Sequence, residues 1–428
     1  MSKKISAALA LLILLCLSIG SFLPASHAQT GVAASAQSAA VASTTAAVLK
    51  ETSELRQLSI LRDVKSGAQS RSEIERMVIK NLDDDTTPEE MHAAEVLLKA
   101  LGLAPKEFGY RAFLVKLLTE QVAGYYDPKA QQFYLADWIE LDGQKPVMAH
   151  ELTHALQDQH FNLKRFEKWP KGDSDAELAA HALIEGDATL AMMLYMAKNP
   201  LVALAFIRSL GGQEVATEQF KQAPRALRES LLFPYQEGSE WATQLYHRGG
   251  WDMVSKAFTK LPQSTEQILH PDKYFSYEAP QKLTLPDFRT LLGPSWKRID
   301  NDVNGEWGYY LILDEFLNNA AESKQAAAGW GGDRFGLYET VKPGETFVSQ
   351  LTAWDTLADA REFFDAYSKR TSKRYPESKV NEKGDRIEWQ TSAGSVVMEL
   401  RGSRVAILEG VPANVNANRM LGMIWRSV

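Results

Sequence analysis

The chain has 428 residues, 45% of them apolar and 24% charged, with a formal net charge of −7. This is ordinary globular composition, in a chain long enough for two or three domains. The acidic balance excludes a basic nucleic-acid-binding surface, so nucleic acid is not an expected partner.

Residues 1–28 read as an export signal. Lys3 and Lys4 precede the apolar run "AALALLILLCLSIG", and Ser26 and Ala28 form a small-x-small cleavage pattern. The run is short for a span, so no stable membrane span is expected once the signal is removed. The expected location is secreted or periplasmic, by bacterial export. Cys16 is the only cysteine and lies in the signal, where Leu15 before it does not fit a lipoprotein pattern. The mature chain then has no disulfide, thiolate ligand or cysteine nucleophile.

Residues 29–49, "QTGVAASAQSAAVASTTAAVL", are poor in charge and rich in Ala, Ser and Thr, and read as a low-complexity linker, a disordered or weakly helical tether. Helical patterning begins near Lys50. "TPEEMHAAEVLLKALGL" starts with Thr87 as N-cap, Pro88 at the first helical position and Glu90 closing a capping box. "GYYDPKAQQFYLAD" changes period and carries an Asp127-Pro128 turn, which predicts a β-hairpin from Tyr125 to Leu135. Two helices follow, one through "AHELTHALQDQH" and one through "SDAELAAHALIEGDATLAMMLYMA", the second capped by Asp173 or Ser174.

From about Pro280 strands and helices alternate. "TFVSQLTAW", "RIEWQT", "SVVMELRG" and "RVAILEG" read as strands, with helices at "LADAREFFDAYSKR" and at the C-terminus. "GWGGDR" reads as a Gly-rich turn and lacks the Lys and spacing of a phosphate loop. The expected fold class is α+β: a mostly helical domain with a small hairpin over 50–279, then a smaller α+β domain over 280–428.

His150-Glu151-Leu152-Thr153-His154 is an HExxH motif. On a helix, positions i and i+4 share a face, so the two imidazoles converge on one ion. Glu151 stands beside that face and can reach a water rather than the ion, as a general base must. One zinc per chain is the expected cofactor. His160 has the spacing of a third ligand in an HExxHxxGxxH site, but Gln157 stands where the sharp turn needs Gly. Glu185, on the next helix in an apolar run, is the favoured third ligand, and Gly186 would let helices approach closely. Glu177, His181 and Asp187 remain alternatives. Asp187 and Asp158 are candidates for orienting a ligand imidazole.

"HELTH" followed by "EGDA" resembles the zincin metallopeptidases of the gluzincin kind. The run "EQVAGYYDPK…HELTHALQDQHF…ALIEGDATLA" is similar to a group of exported bacterial metallopeptidase-like proteins, over about Leu101 to Tyr274. The resemblance implies His150, His154 and Glu185 as zinc ligands and Glu151 as base. It also implies a strand edge for extended substrate, for which the Tyr125–Leu135 hairpin is the candidate, and a Tyr or His that stabilises the oxyanion. His270 is the first choice for that role, with Tyr235 and Tyr274 behind it. The His154-to-Glu185 spacing exceeds that of the thermolysin-like type, leaving the 161–175 insert as a loop that would lie over the site. The expected function is a zinc-dependent endopeptidase acting on peptide or protein substrates through a zinc-activated water. The rival expectations are a non-catalytic zinc-containing module of the cell envelope and a zinc amidase acting on cell-wall material.

Overall fold

The structure, a computed structural model, describes residues 31–121, 123–138, 141–166, 169–209 and 218–427. The expected signal at 1–28 lies outside them. The fold is α+β, with helices dominant in the first part and a large sheet in the second. The helical part comprises α1 (Gly31–Arg56), β1 (Lys65–Gln69), α2 (Arg71–Asp85), α3 (Pro88–Ala100), α4 (Tyr110–Gln121), β2 (Gly124–Asp127) and β3 (Gln132–Ala136). It continues through α5 (Lys145–Phe161), α6 (Ser174–Lys198), α7 (Pro200–Ser209), α8 (Glu218–Lys221), α9 (Arg225–Ala257), α10 (Thr265–Leu269) and α11 (Pro271–Ser276).

The sheet part comprises α12 (Arg289–Leu292), β4 (Lys297–Asp302), α13 (Gly305–Leu317), α14 (Ala320–Ala327), β5 (Trp330–Glu339), β6 (Thr346–Trp354) and α15 (Leu357–Arg374). It ends with β7 (Lys379–Lys383), β8 (Arg386–Thr391), β9 (Gly394–Arg401), β10 (Arg404–Val411) and α16 (Ala417–Ile424). Its seven strands run in the order β4-β5-β6-β10-β9-β8-β7. Among the described residues no single helix is long and apolar enough to cross a membrane.

Several elements form where the sequence places them. Thr87 accepts from the Glu90 amide while the Glu90 carboxylate accepts from the Thr87 amide, which starts α3. The hairpin β2–β3 pairs Tyr125 with Tyr134, and β1 adds to β3 in parallel. The order β1-β3-β2 leaves β2 at an edge.

Two expectations change. Residues 31–49 are not a tether but part of α1. Val41, Thr45, Val48, Leu49, Thr52 and Arg56 lie along one buried stripe of that helix. The small Ala and Ser residues that suggested low complexity are good or neutral helix formers, and the Val, Thr and Leu between them seat the helix against α5. There Val41, Val48, Leu49 and Leu58 share a core with Met148, Ala149, Leu152 and Leu156. The stretch "GWGGDR" is not only a turn. Gly329 makes the turn at φ +75°, and β5 starts at the next residue.

The division expected near residue 280 does not separate two cores. One cluster of buried residues runs from Ile74 through Trp241 and Tyr309 to Ile407. A second lies on the other side of the sheet, where Phe288, Trp296 and Leu421 pack on Phe347 and Leu408. Polar ties also cross the seam. Asp302, ending β4, accepts from the Ser174 amide (3.0 Å) and from the Ser174 hydroxyl, and so holds the first turn of α6. The Thr265 hydroxyl at the start of α10, which donates to Asp175, accepts in turn from the Trp307 amide of α13 at 3.2 Å. Arg370 and Arg374 of α15 donate to the Leu101 and Ala100 carbonyls at the C-terminal end of α3.

The closest backbone approach is between α6 and α9. A Cβ on Gly186 would stand 2.1 Å from the Gly238 carbonyl oxygen, and one on Gly238 would stand 2.3 Å from the Ala182 carbonyl oxygen. Gly186 thus lets two helices approach closely, and the pair is α6 and α9. Gly186→Ala should destabilise the protein by about 1–3 kcal/mol through overpacking. Gly109→Ala, where nothing lies within 4 Å of the added methyl group, should leave the urea midpoint nearly unchanged. Urea unfolding of both variants checks this.

Candidate metal centre

Helix α5 carries the HExxH motif through the middle of the helical part. Its Met148–Ala149–Leu152–Leu156 side is covered by α1, and its His150–His154–Gln157 side meets α6. Asn162 ends the helix in the left-handed conformation at φ 56°. Helix α6 is buried along most of its length, and Asp173 caps its start by accepting from the Ala176 amide.

The facing sides bring His150, His154 and Glu185 together, with one ligand atom from each within 4.8 Å of the others. His150 Nε2 stands 3.2 Å and His154 Nε2 3.4 Å from Glu185 Oε2, and the two Nε2 atoms are 3.1 Å apart. All three residues are at most 1% exposed. Two imidazole nitrogens and a carboxylate oxygen aimed at one point are the donor set of a His₂Glu zinc site. Glu151 Oε1, on the residue next to His150, is buried with no hydrogen-bond partner. Such an orphaned atom is costly in a dry interior unless something polar meets it. The donor set therefore fits a metal ion.

The local electrostatics have the same character. Burial works to raise the Glu185 pKa, but the two histidines outweigh it and hold the carboxylate down to about 2. Burial works to lower the His154 pKa, but Glu185 raises it to about 9. Burial dominates at His150, whose pKa falls. Glu151, wholly buried, is pushed up to about 8 by burial, against the pull of His154. Its Oε2 accepts from the Tyr126 amide at 2.8 Å, which fixes one carboxylate oxygen and leaves Oε1 without a hydrogen-bond partner.

The expected positions fare unevenly. Of the third-ligand candidates, Glu185 joins the cluster, while His160 turns away and bonds the Ser59 carbonyl oxygen at 2.8 Å. His181, one turn before Glu185, is buried outside the ligand set, and burial takes its pKa down to about 4. Asp187 does support a ligand, at one remove. It accepts from Gln157 Nε2 at 2.9 Å, and Gln157 Oε1 meets His154 Nδ1 at 2.8 Å. Asp158 instead ties Arg62, the Tyr126 hydroxyl and the Leu163 amide.

Tyr235 lies at the site, buried, with its ring stacked 6.2 Å from His150. His270 does not join it. Its Nε2 pairs with Glu306 Oε1 at 2.8 Å, at the junction of α10 and α11. Tyr274 is likewise engaged elsewhere, donating to the Lys260 carbonyl oxygen. The described part of the 161–175 insert packs on the end of α9, with Phe161 stacked 4.2 Å from Phe258 and Arg165 donating to the Phe258 carbonyl oxygen. The hairpin is in place, but its edge strand β2 already gives the Tyr126 amide to Glu151.

Sequence reasoning missed two residues. Gln157 counted only as a missing glycine, although its place seven after His150 puts it on the ligand face. Arg56 lay 131 residues from its partner Asp187, in a region taken as helical without a role.

A family model described as a domain of unknown function (DUF8575) matches residues 290–420. That span holds the whole seven-stranded sheet and does not include the His150, His154 and Glu185 cluster. No curated protein and no solved structure matches the chain at a significant level.

The metal-free protein should lose stability as pH rises. His154 has a folded pKa of about 9, above its ordinary value near 6.5. Its ion pair with Glu185 therefore contributes fully below about pH 6.5 and is lost as pH climbs through 9. Urea midpoints of chelator-treated protein at pH 6, 7.5 and 9 should fall in that order. Saturating zinc should flatten the trend, because the ion replaces the proton.

Proposed function

We propose that the chain is a zinc-dependent endopeptidase. The observation that carries this is the placement of Glu151 beside a buried group of two imidazoles and one carboxylate, with a single carboxylate oxygen left unpaired. His150, His154 and Glu185 would hold the ion, which when bound supplies Lewis acidity toward water and toward a peptide carbonyl.

The chain's own residues account for the proton. Glu151 Oε2 is anchored by the Tyr126 amide, so the carboxylate presents Oε1 in a fixed direction. Oε1 takes a proton from the attacking water and returns it to the leaving amine. Burial tunes Glu151 upward to about 8, which favours proton transfer near neutral pH. Gln157 accepts from His154 Nδ1 and so keeps Nε2 facing the ligand group. Tyr235 packs on the His150 ring and fixes its plane. His270, held by Glu306, has no part in this reading.

One observation favours a second reading. His150, Glu151, His154 and Glu185 are all at most 1% exposed, which suits a module that holds metal without turning over substrate.

The test separates the two. The mature chain from Gln29, loaded with zinc, is incubated with a mixed peptide library and read by mass spectrometry beside Glu151→Gln. The peptidase reading expects cuts by the wild type and a loss of about 10²–10⁴-fold in the variant, with one zinc retained by both. Equal zinc in both and cleavage by neither would decide for the module.

A further inference from the structure

We propose that Arg56 is a positioning residue of the metal centre, so that docking of α1 and binding of metal are thermodynamically coupled. This rests on the reading that His150, His154 and Glu185 hold an ion.

A relay of hydrogen bonds connects the two. Arg56, the last residue of α1, grips Asp187 with two nitrogens, Nε to Oδ1 at 2.5 Å and Nη2 to Oδ2 at 3.1 Å. Both side chains are 0% exposed. Asp187 Oδ2 accepts from Gln157 Nε2, which also donates to the Ile184 carbonyl oxygen at 3.0 Å. Gln157 Oε1 then faces His154 Nδ1.

The order of donors and acceptors gives this relay a direction. An amide can be turned end for end, and a turned Gln157 would offer N–H to His154 Nδ1, drawing the ring proton to Nε2 and spoiling the ligand. Two acceptors on the α6 side, the Ile184 carbonyl oxygen and Asp187 Oδ2, oppose that turn. Both oxygens of Asp187 are in turn held by the buried Arg56 guanidinium. Arg56 thus fixes Asp187, Asp187 fixes Gln157, and Gln157 fixes the tautomer of His154.

The same guanidinium donates from Nη1 to the Ser255 hydroxyl and lies 4.4 Å over the Trp251 ring. It therefore seats the end of α1 on both α6 and α9. Because α1 also covers the far side of α5, undocking it would remove the relay and the packing together. Linkage then requires the converse: an ion that prefers the docked state must hold α1 in place by the same factor.

The test uses the mature chain from Gln29. Zinc affinity is measured by competition with a chromophoric chelator, ligand geometry by the visible spectrum of the cobalt form, and α1 docking by amide hydrogen exchange with and without zinc. Arg56→Ala should weaken zinc binding about 10–100-fold, with Arg56→Lys recovering part of the loss. Gln157→Ala should cost a similar factor, and the double variant little more than either single one, because both cut one relay. Zinc should slow exchange in α1 of the wild type and much less in Arg56→Ala.

Should Arg56→Ala not fold, Arg56→Met with Asp187→Asn removes the pair without leaving a lone buried charge, and the same loss of affinity is expected. Wild-type affinity in a folded Arg56 variant, or factors that multiply in the double variant, would reduce Arg56 to a packing role and overturn the coupling. A wild type that holds no zinc would instead overturn the site reading on which it rests.

Discussion

A negative charge with almost no access to water organises this protein. Glu185 is buried in α6 and kept ionised by the histidines of α5. A lone carboxylate in such a place would cost several kcal/mol. The cost is offset only if imidazoles stand within hydrogen-bond reach, so α5 and α6 must hold their relative height and rotation. Much of the surrounding structure serves that one requirement. Asp302 secures the first turn of α6, Gly238 lets α9 support it from behind, and α1 presses α5 from the other side.

That arrangement explains why a sheet in the second part of the chain matters to a cluster in the first. Carboxylates satisfy helix N-termini that sequence neighbours leave open, with Asp302 serving Ser174 across the seam and Asp175 serving Thr265 within the helical part. Each exchange fixes one element against another far away in sequence. The region matched by the DUF8575 model is in this sense a footing for α6 as well as a unit with its own strand order.

Local signals were legible in the sequence, and relations between distant segments were not. HExxH pointed to two candidate ligands and a candidate base, because helical periodicity brings the two imidazoles to one face. Glu185 could be favoured because an acid in an apolar helix needs a partner. The strands of "RIEWQT", "SVVMELRG" and "RVAILEG" could be read from their β-branched and apolar patterning. The role of α1 could not, because its buried stripe of Val, Thr and Leu faces an exposed side rich in Ala, and the contrast between them is slight. Arg56 was invisible for the same reason that it is useful: a buried cation is recognised by its partner, and nothing local names Asp187. His270 misled because a histidine before a proline in a loop suits catalysis and an ordinary ion pair equally well.

The meeting of Gly186 and Gly238 has a further consequence. Most helix pairs are spaced by side chains, which can change rotamer and absorb a fraction of an ångström. Here main chain rests on main chain, so α9 acts as a hard stop for α6 at the residue next to Glu185. The position of the Glu185 main chain is then set by a contact with no movable group in it. A shift of the helices to suit a different ion or an engineered substitution has to come from the α5 side.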